Sequence, residues 1–168
     1  MKPTSSSIAL LACGGTLDKD YNPLTGELVF SQSCLAEMLQ QANHQLNIRL
    51  ETLMLKDSLE MTEQDRETLY QACLTSTESA IIVTHGTDTM TDSAEYLLAR
   101  TEHLKTKTIV LTGAMRPFKL SQSDAMFNLG SACLAVQLAQ PGIYITMNGQ
   151  LFTAGQVKKN RQLGIFSD

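Results

Sequence analysis

The segment from residue 80 to residue 90, Ala-Ile-Ile-Val-Thr-His-Gly-Thr-Asp-Thr-Met, most constrains the fold of this 168-residue chain. Its first four residues are apolar and three of them are β-branched, which predicts a short buried strand. The polar loop of residues 85–89 follows, and the chain then has the pattern of a helix. In an open α/β sheet, ligands bind where the carboxyl end of a strand meets the next helix. The loop is therefore a candidate functional site, although its Thr and Asp side chains could equally serve only to cap that helix.

A second junction of the same kind lies near the start of the chain. Residues 8–13 are predicted to form an apolar strand, and Gly14-Gly15-Thr16 follows it. Two glycines after a strand permit backbone conformations and close approaches that other residues cannot make. The repetition of a polar junction after a buried strand favours a functional site over an ordinary turn.

The rest of the chain alternates predicted strands and helices. Further strands are predicted at residues 47–55, 108–111 and 143–147, and helices at residues 34–42, 62–74, 92–99 and 124–139. Residues 18–30 are predicted to form a mobile loop followed by a short hairpin, and residues 150–168 one more hairpin strand and a polar tail. This alternation predicts an α/β fold, with residues 1–168 as a single three-layer domain around a mostly parallel sheet.

Composition excludes several classes of function. The net charge of −4, without a cluster of basic residues, argues against a nucleic-acid partner, and no apolar run is long enough to span a membrane. The four cysteines are widely scattered without a C-x-x-C pair, so we expect buried thiols in a reducing compartment, which predicts a cytoplasmic protein.

Threonine hydroxyls follow or end three of the predicted strands, at Thr16, Thr87 and Thr112. Such a hydroxyl is a weak nucleophile until a neighbouring base takes its proton or a cation lowers its pKa. The chain offers four possible activators, namely Tyr21, His85, Asp88 and Lys159. The residues alone do not decide among them.

Other kinds of site have weaker support. The glycines at residues 14–15 lack the pattern of a P-loop or of a dinucleotide-binding loop. A metal site made of His85, Asp88 and Asp92 is an alternative, but the spacing does not match that of known zinc motifs. We therefore predict no cofactor and no metal. His44 and His103 lie in polar surroundings and are predicted to be surface residues.

Four segments together resemble the bacterial-type L-asparaginases of the asparaginase–glutaminase family. They are Cys13-Gly-Gly-Thr-Leu17, Asp57-Ser-Leu-Glu-Met-Thr62, Thr84-His-Gly-Thr-Asp-Thr-Met90 and Thr112-Gly-Ala-Met-Arg-Pro117, and they occur in family order at about family spacing. Residues 21–26 and 57–62 are more similar to the cytoplasmic type I branch than to the periplasmic type II branch. The resemblance implies the fold of the N-terminal domain of that family.

The resemblance also implies catalytic roles for five residues. Thr16 would be the nucleophile that attacks the side-chain amide and forms an acyl-enzyme, and Tyr21 on the mobile loop would help to activate it. Thr87, Asp88 and Lys159 would form a second constellation, in which Lys159 activates Thr87 and the carboxylate orients it.

Substrate contacts follow from the same resemblance. Ser58 would bind the α-carboxylate of the substrate, and Asp88 its α-ammonium. Backbone N–H groups near Ala114 and Thr87 would stabilise the tetrahedral oxyanion. The family usually has a polar residue where this chain has Leu59, so recognition of the substrate is expected to be weaker or different.

The resemblance covers only the N-terminal domain of the family, and the C-terminal domain is expected to be absent. A surface that this second domain covers in the family would be exposed, so a homodimer or higher homo-oligomer is predicted. Two functions remain in view. One is an amidohydrolase acting on L-asparagine or a related small-molecule amide, and the alternative is a non-catalytic amino-acid- or amide-binding module or partner subunit.

Overall fold

Strands and helices alternate along most of the chain in the computed structural model, which describes residues 7–168. The strands are β1 (Ile8–Gly14), β2 (Asp20–Asn22), β3 (Glu27–Val29), β4 (Ile48–Lys56), β5 (Ala80–Thr84), β6 (Thr108–Thr112), β7 (Gly142–Met147), β8 (Gln150–Thr153), β9 (Lys158–Asn160) and β10 (Ile165–Ser167). The helices are α1 (Leu35–Gln41), α2 (Glu63–Thr75), α3 (Met90–Leu98) and α4 (Ala125–Leu138). The predicted α/β fold is confirmed; the first six residues of the predicted domain lie outside the described part.

The central sheet has six strands in the order β4-β1-β5-β6-β7-β8. The first five strands are parallel, and β8 pairs antiparallel with β7. From β1 the chain moves outward to β4 and then returns to β5 on the other side of β1. The strand order therefore reverses between β1 and β5, and ligands of open α/β sheets bind at this kind of switch point.

Helices cover both faces of the sheet, as the predicted three layers require. Successive residues of β1 point to opposite faces, and both faces are apolar. Leu11 packs in a core cluster with Leu69 of α2 and Leu97 of α3. Leu10 packs in a second cluster with Met38 of α1, which also includes Leu129 of α4. Because β1 is buried on both sides, the residues that follow it are held at the centre of the carboxyl edge.

The ends of two helices are set by local contacts. Helix α2 begins with a capping box, because the Thr62 hydroxyl accepts from Asp65 N–H while the Asp65 carboxylate accepts from Thr62 N–H. Helix α3 begins at Met90, earlier than the predicted residue 92. Met90 is fully buried, and its packing in the core draws the first turn of the helix inward.

Two predicted irregular regions are more ordered than the sequence suggested. Tyr21 lies on β2 and pairs with Leu28 of β3, so the hairpin already includes the segment predicted as a loop. The predicted hairpin strand is present as β8, but the predicted polar tail is wrong, because β9 and β10 form a further hairpin. Phe166 of β10 is buried, and its N–H donates to the Asn148 side chain. One apolar residue thus anchors an otherwise polar segment.

The four cysteines are free thiols; Cys13, Cys34 and Cys73 are buried and Cys133 is half-buried. This agrees with their predicted role in the core. Among residues 7–168, no helix has both the length and the apolar character needed to cross a bilayer.

Two glycines allow the loops at the switch point to lie in direct contact. Gly15 has φ 76° and ψ −179°, a region that glycine alone readily adopts. A Cβ atom on Gly15 would lie 2.4 Å from Gly86 Cα, and one on Gly86 would lie 2.6 Å from Ser58 Cβ. The loops after β1 and β5 are therefore packed backbone against backbone, and the Ser58 side chain from the loop after β4 packs directly on Gly86.

We expect Gly15→Ala to destabilise the protein far more than Gly26→Ala. Both glycines have φ 76°, but a Cβ on Gly26 would have no neighbour within 4 Å. Left-handed strain alone should cost Gly26→Ala about 1–2 kcal/mol, whereas added overpacking should bring Gly15→Ala to roughly 3–5 kcal/mol. Urea unfolding of both variants measures the difference. Equal losses would show that the close approach at Gly15 does not limit stability.

Candidate active site

Four loops meet along the carboxyl edge of four neighbouring strands. In sheet order they follow β4, β1, β5 and β6, and they carry Ser58, Thr16, Thr87 and Ala114 respectively. The four segments that carry the family resemblance are thus adjacent in space although they are far apart in the chain. The switch point between β1 and β5 lies in the middle of this row.

Lys159 forms the most direct contact in the site. Its Nζ donates to Thr87 Oγ1 at 2.7 Å and to Asp88 Oδ1 at 2.8 Å. The Lys159 side chain is 9% exposed, and Thr87 is buried. A lysine, a threonine hydroxyl and a carboxylate that is 33% exposed are therefore joined, and the amine in its neutral form would accept the Thr87 proton.

Ser58 connects the loops after β4 and β5. Its hydroxyl accepts from Thr89 N–H at 3.2 Å, and its carbonyl accepts from the Thr89 hydroxyl at 2.8 Å. Because Oγ acts as acceptor towards Thr89, the Ser58 hydroxyl retains its own hydrogen for another acceptor. Ser58 is buried, and the neighbouring Asp57 caps its short 3₁₀ turn by accepting from Leu59 N–H.

Thr16 and Tyr21 are not brought together. Thr16 lies half-buried in a 3₁₀ turn directly after β1 and Gly15. Tyr21 is 53% exposed on β2, and within residues 7–168 no hydrogen bond joins it to Thr16. Lys19 fixes the base of this hairpin, because its Nζ donates to Asp57 at 2.7 Å and lies 5.4 Å from the centre of the Phe30 ring. The distal part of the hairpin extends into solvent.

The loop after β6 is packed directly against the loop after β5. A Cβ atom on Gly113 would lie 2.3 Å from the His85 carbonyl oxygen and 3.4 Å from a Thr87 methyl group. Ala114 follows and is buried. The third hydroxyl raised as a candidate is structural, because Thr112 donates to the Thr146 carbonyl inside the sheet at 2.8 Å. Its interpretation as a reactive group is wrong.

His85 supports the loop backbone and does not contact the Thr87 hydroxyl. Its Nδ1–H donates to the Gly86 carbonyl at 2.7 Å, so Nε2 accepts from the Ser93 hydroxyl at the same distance. Arg66 in turn donates to Ser93. Complete burial lowers the pKa of His85 to about 4, and the nearby Arg66 adds to this effect. His85 is therefore a neutral imidazole that orients the backbone, and it does not activate a threonine hydroxyl.

The alternative metal site has no geometric support. Within residues 7–168, no group of three His, Cys, Asp or Glu side chains could hold a metal ion. His44 and His103 are exposed, as predicted.

Two charged residues at the site, Arg161 and Lys19, were not found from the sequence. Arg161 Nε lies 3.8 Å from Asp88 Oδ1, and Lys19 pairs with Asp57. The hydrogen bond from Lys19, with a further contribution from the charge of Lys159, lowers the pKa of Asp57. One signal was available for Arg161, because residues two apart at a strand end share a face, and Lys159 precedes it by two.

The amino-acid sequence of the chain matches the model of a known family. The family model described as asparaginase, N-terminal, matches residues 7–165. The chain belongs to the asparaginase family.

Individual relatives agree with this assignment. The chain is 30% identical over 159 residues to a glutamyl-tRNA(Gln) amidotransferase component of Methanococcus vannielii, covering 89% of this chain and 36% of that protein. The thermostable L-asparaginase of Thermococcus kodakarensis superposes with a TM-score of 0.81 at 25% identity, over 96% of this chain and 51% of that one. A probable cytoplasmic L-asparaginase of Campylobacter jejuni gives 0.80 at 25% identity, over 96% and 52%. The chain thus spans about half of each solved structure.

We expect acid to destabilise the fold through His85. The pKa of about 4 in the folded state lies below the ordinary 6.5, so the unfolded state binds the proton first and stability falls as pH falls through this window. Between pH 6.5 and 4.5 the loss should reach about 2 kcal/mol. Urea unfolding at a series of pH values measures it.

The matched variants are His85→Gln and His103→Gln. The first should flatten the pH dependence between pH 6.5 and 4.5, and the second, at an exposed position, should leave it in place. An unchanged slope in His85→Gln would assign the effect to other groups.

Proposed function

We propose that this chain is an amidohydrolase that converts the side-chain amide of asparagine, or of a related small molecule, to the acid and ammonia. The observation that carries the proposal is the partly buried contact of Lys159 with Thr87 and Asp88. It lies at the switch point of the sheet, beside the loop that presents Thr16. Membership of the asparaginase family supports the same chemistry.

In the first step, Thr16 Oγ would attack the amide carbon and form a carbon–oxygen bond. Backbone N–H groups near Ala114 and Thr87 would stabilise the oxyanion that develops. Collapse of the tetrahedral intermediate breaks the carbon–nitrogen bond, and the nitrogen leaves as ammonia after it accepts the Thr16 proton. Tyr21 would assist this transfer when the β2–β3 hairpin bends towards Thr16.

In the second step, water would hydrolyse the Thr16 ester. Lys159 would activate Thr87, and the Thr87 oxygen would take a proton from the attacking water, with Asp88 holding Lys159 in place. The acid leaves and Thr16 regains its proton. The buried position of Lys159 favours this role because it keeps bulk water out of the proton transfer.

We expect Lys159→Met and Thr16→Ala each to lower kcat for ammonia release by about 10²–10⁴-fold. The matched control is Lys158→Met, because Lys158 is an exposed lysine on the same strand β9. Coupled measurement of ammonia from L-asparagine checks these effects, and circular dichroism checks the fold. Thr16→Ala should also abolish the acyl-enzyme that mass spectrometry detects after acid quenching. A normal rate in Thr16→Ala would refute the nucleophile assignment.

A second candidate is a binding module or partner subunit that does not turn over its ligand. The observation that favours it is the 30% identity to a protein named as one subunit of an amidotransferase. Calorimetric binding of an amide without release of ammonia from the folded chain would support this candidate. Ammonia release that is lost in Lys159→Met would exclude it.

Self-association is a further part of the proposal. The outward face of α4 exposes Phe127, Leu134 and Leu138, and Leu151 of β8 is exposed beside them. Helix α4 contains no charged residue, although surface helices are usually polar on the outer side. An apolar face of this kind commonly packs against a second copy of the same chain, as the predicted homodimer requires.

We expect Leu134→Glu to shift the protein to a smaller species in light scattering at micromolar concentration, because the new charge cannot be buried against an apolar face. Leu24→Glu is the matched control, since Leu24 is exposed at the tip of the β2–β3 hairpin, away from α4. A wild-type protein that is already monomeric would contradict the proposal.

A cytoplasmic location is also proposed. The free thiols of all four cysteines suit a reducing compartment. The similar Campylobacter jejuni protein is described as a probable cytoplasmic L-asparaginase, which supports the same location.

A further inference from the structure

The β2–β3 hairpin, residues 20–30, is poorly connected to the rest of the protein by hydrogen bonds. Among residues 7–168, the hydrogen bonds that the hairpin forms all join one of its residues to another. Its apolar side chains pack weakly, because Tyr21, Leu24 and Leu28 are between 42% and 93% exposed. The position of Tyr21 therefore depends on the residues at the base of the hairpin.

Lys19, directly before β2, joins this base to two other parts of the site. Its backbone N–H donates to the Thr16 carbonyl at 3.1 Å, and its Nζ donates to Asp57 at 2.7 Å. The same Nζ lies 5.4 Å from the centre of the Phe30 ring, at the other end of the hairpin. Lys19 has extended backbone, and residues two apart in such backbone share a face, so Tyr21 lies on the same face as Lys19.

Asp57 is a firm partner for Lys19. One oxygen of its carboxylate accepts from Leu59 N–H at 3.1 Å, and the other accepts from Lys19. The loop that carries Asp57 is itself held by the two hydrogen bonds between Ser58 and Thr89. The Lys19 and Asp57 side chains are 19% and 33% exposed, so water screens their attraction only in part. The hydrogen bond from Lys19 lowers the pKa of Asp57, which keeps the carboxylate ionised at neutral pH.

We propose that Lys19 is a positioning residue, whose ion pair with Asp57 holds the base of the β2–β3 hairpin so that Tyr21 can reach Thr16. Lys19 itself touches neither the amide nor the reacting oxygen, and it acts through Tyr21. The inference rests on the proposed function, because it names a residue that serves the first step of that reaction.

Two substitutions remove the ion pair from opposite sides. Lys19→Met removes the cation, and Asp57→Asn removes the charge of the carboxylate but keeps an oxygen that caps the 3₁₀ turn. Each should lower kcat for ammonia release from L-asparagine about tenfold, because Tyr21 is then less often in place. KM should change less than about threefold, because the hydrogen bonds between Ser58 and Thr89 remain. The double variant should also lose about tenfold rather than about a hundredfold, because both substitutions remove the same interaction.

Two further variants separate positioning from a general loss of stability. Lys19→Arg should restore at least about half of the wild-type kcat, because a guanidinium group can also pair with Asp57. Lys56→Met is the matched control, since Lys56 pairs with Asp65 of α2 at 2.8 Å beside the same loop, and among residues 7–168 it has no hydrogen bond to the hairpin. It should leave kcat unchanged, and circular dichroism checks the fold of every variant. Equal losses in Lys56→Met and Lys19→Met, no rescue by Lys19→Arg, or losses that multiply in the double variant would overturn the positioning role.

A measurement without turnover distinguishes this inference from the proposed function. Nuclear magnetic resonance relaxation should show that Lys19→Met lowers the amide order parameters of residues 20–30 below about 0.6 or adds millisecond exchange there, whereas Lys56→Met changes neither. Unchanged motion of the hairpin in Lys19→Met overturns the inference, while ammonia release by the wild type leaves the amidohydrolase proposal standing. If the folded wild type releases no ammonia, the amidohydrolase proposal fails, and increased hairpin motion in Lys19→Met still supports the role of Lys19.

Discussion

The arrangement of the site depends on the close contact of the Gly15 backbone with the Gly86 backbone and of Gly86 with the Ser58 side chain. These contacts hold three loops close together, because the strands below them are only a sheet spacing apart and neither glycine has a side chain to separate them. Thr16 and Thr87, which each follow one of the contacting glycines, are placed next to each other by this packing. The hydrogen bonds between Ser58 and Thr89 then fix the loops relative to one another.

Polar and charged side chains stabilise these packed loops at two depths in the fold. Deep in the fold, a neutral His85 holds the Gly86 carbonyl through a chain of polar contacts with Ser93 and Arg66, so the loop is supported without a buried charge. Nearer the surface, lysine and arginine neutralise Asp88 and Asp57. The contacts of His85 set the shape of the loop after β5, and the lysine and arginine contacts set the charge at the opening of the site.

The strands and helices were predictable because their apolar periodicity reflects burial on one or both sides of the sheet, as in β1. The positions of Ser58 and Lys159 beside Thr87 came from resemblance, since no local pattern predicts contacts across 72 residues. Arg161 and Lys19 were missed because an isolated charge in a polar segment gives no signal of its partner. The β9–β10 hairpin was missed because one buried residue, Phe166, stabilises it. Thr112 was wrongly interpreted as a reactive hydroxyl for a similar reason. The sequence does not tell which hydroxyls donate hydrogen bonds to carbonyl groups inside the sheet.

Lys159 reaches the site from a late hairpin that Phe166 and Asn148 fasten to the rest of the protein. During synthesis, the sheet through β7 can form on the ribosome before this hairpin leaves the exit tunnel. The nascent chain would then have Thr87 in place but lack Lys159, the amine that is proposed to activate it. Because Lys159 lies on β9, late in the chain, its contact with Thr87 can form only after the strands of the sheet through β7 have been synthesised.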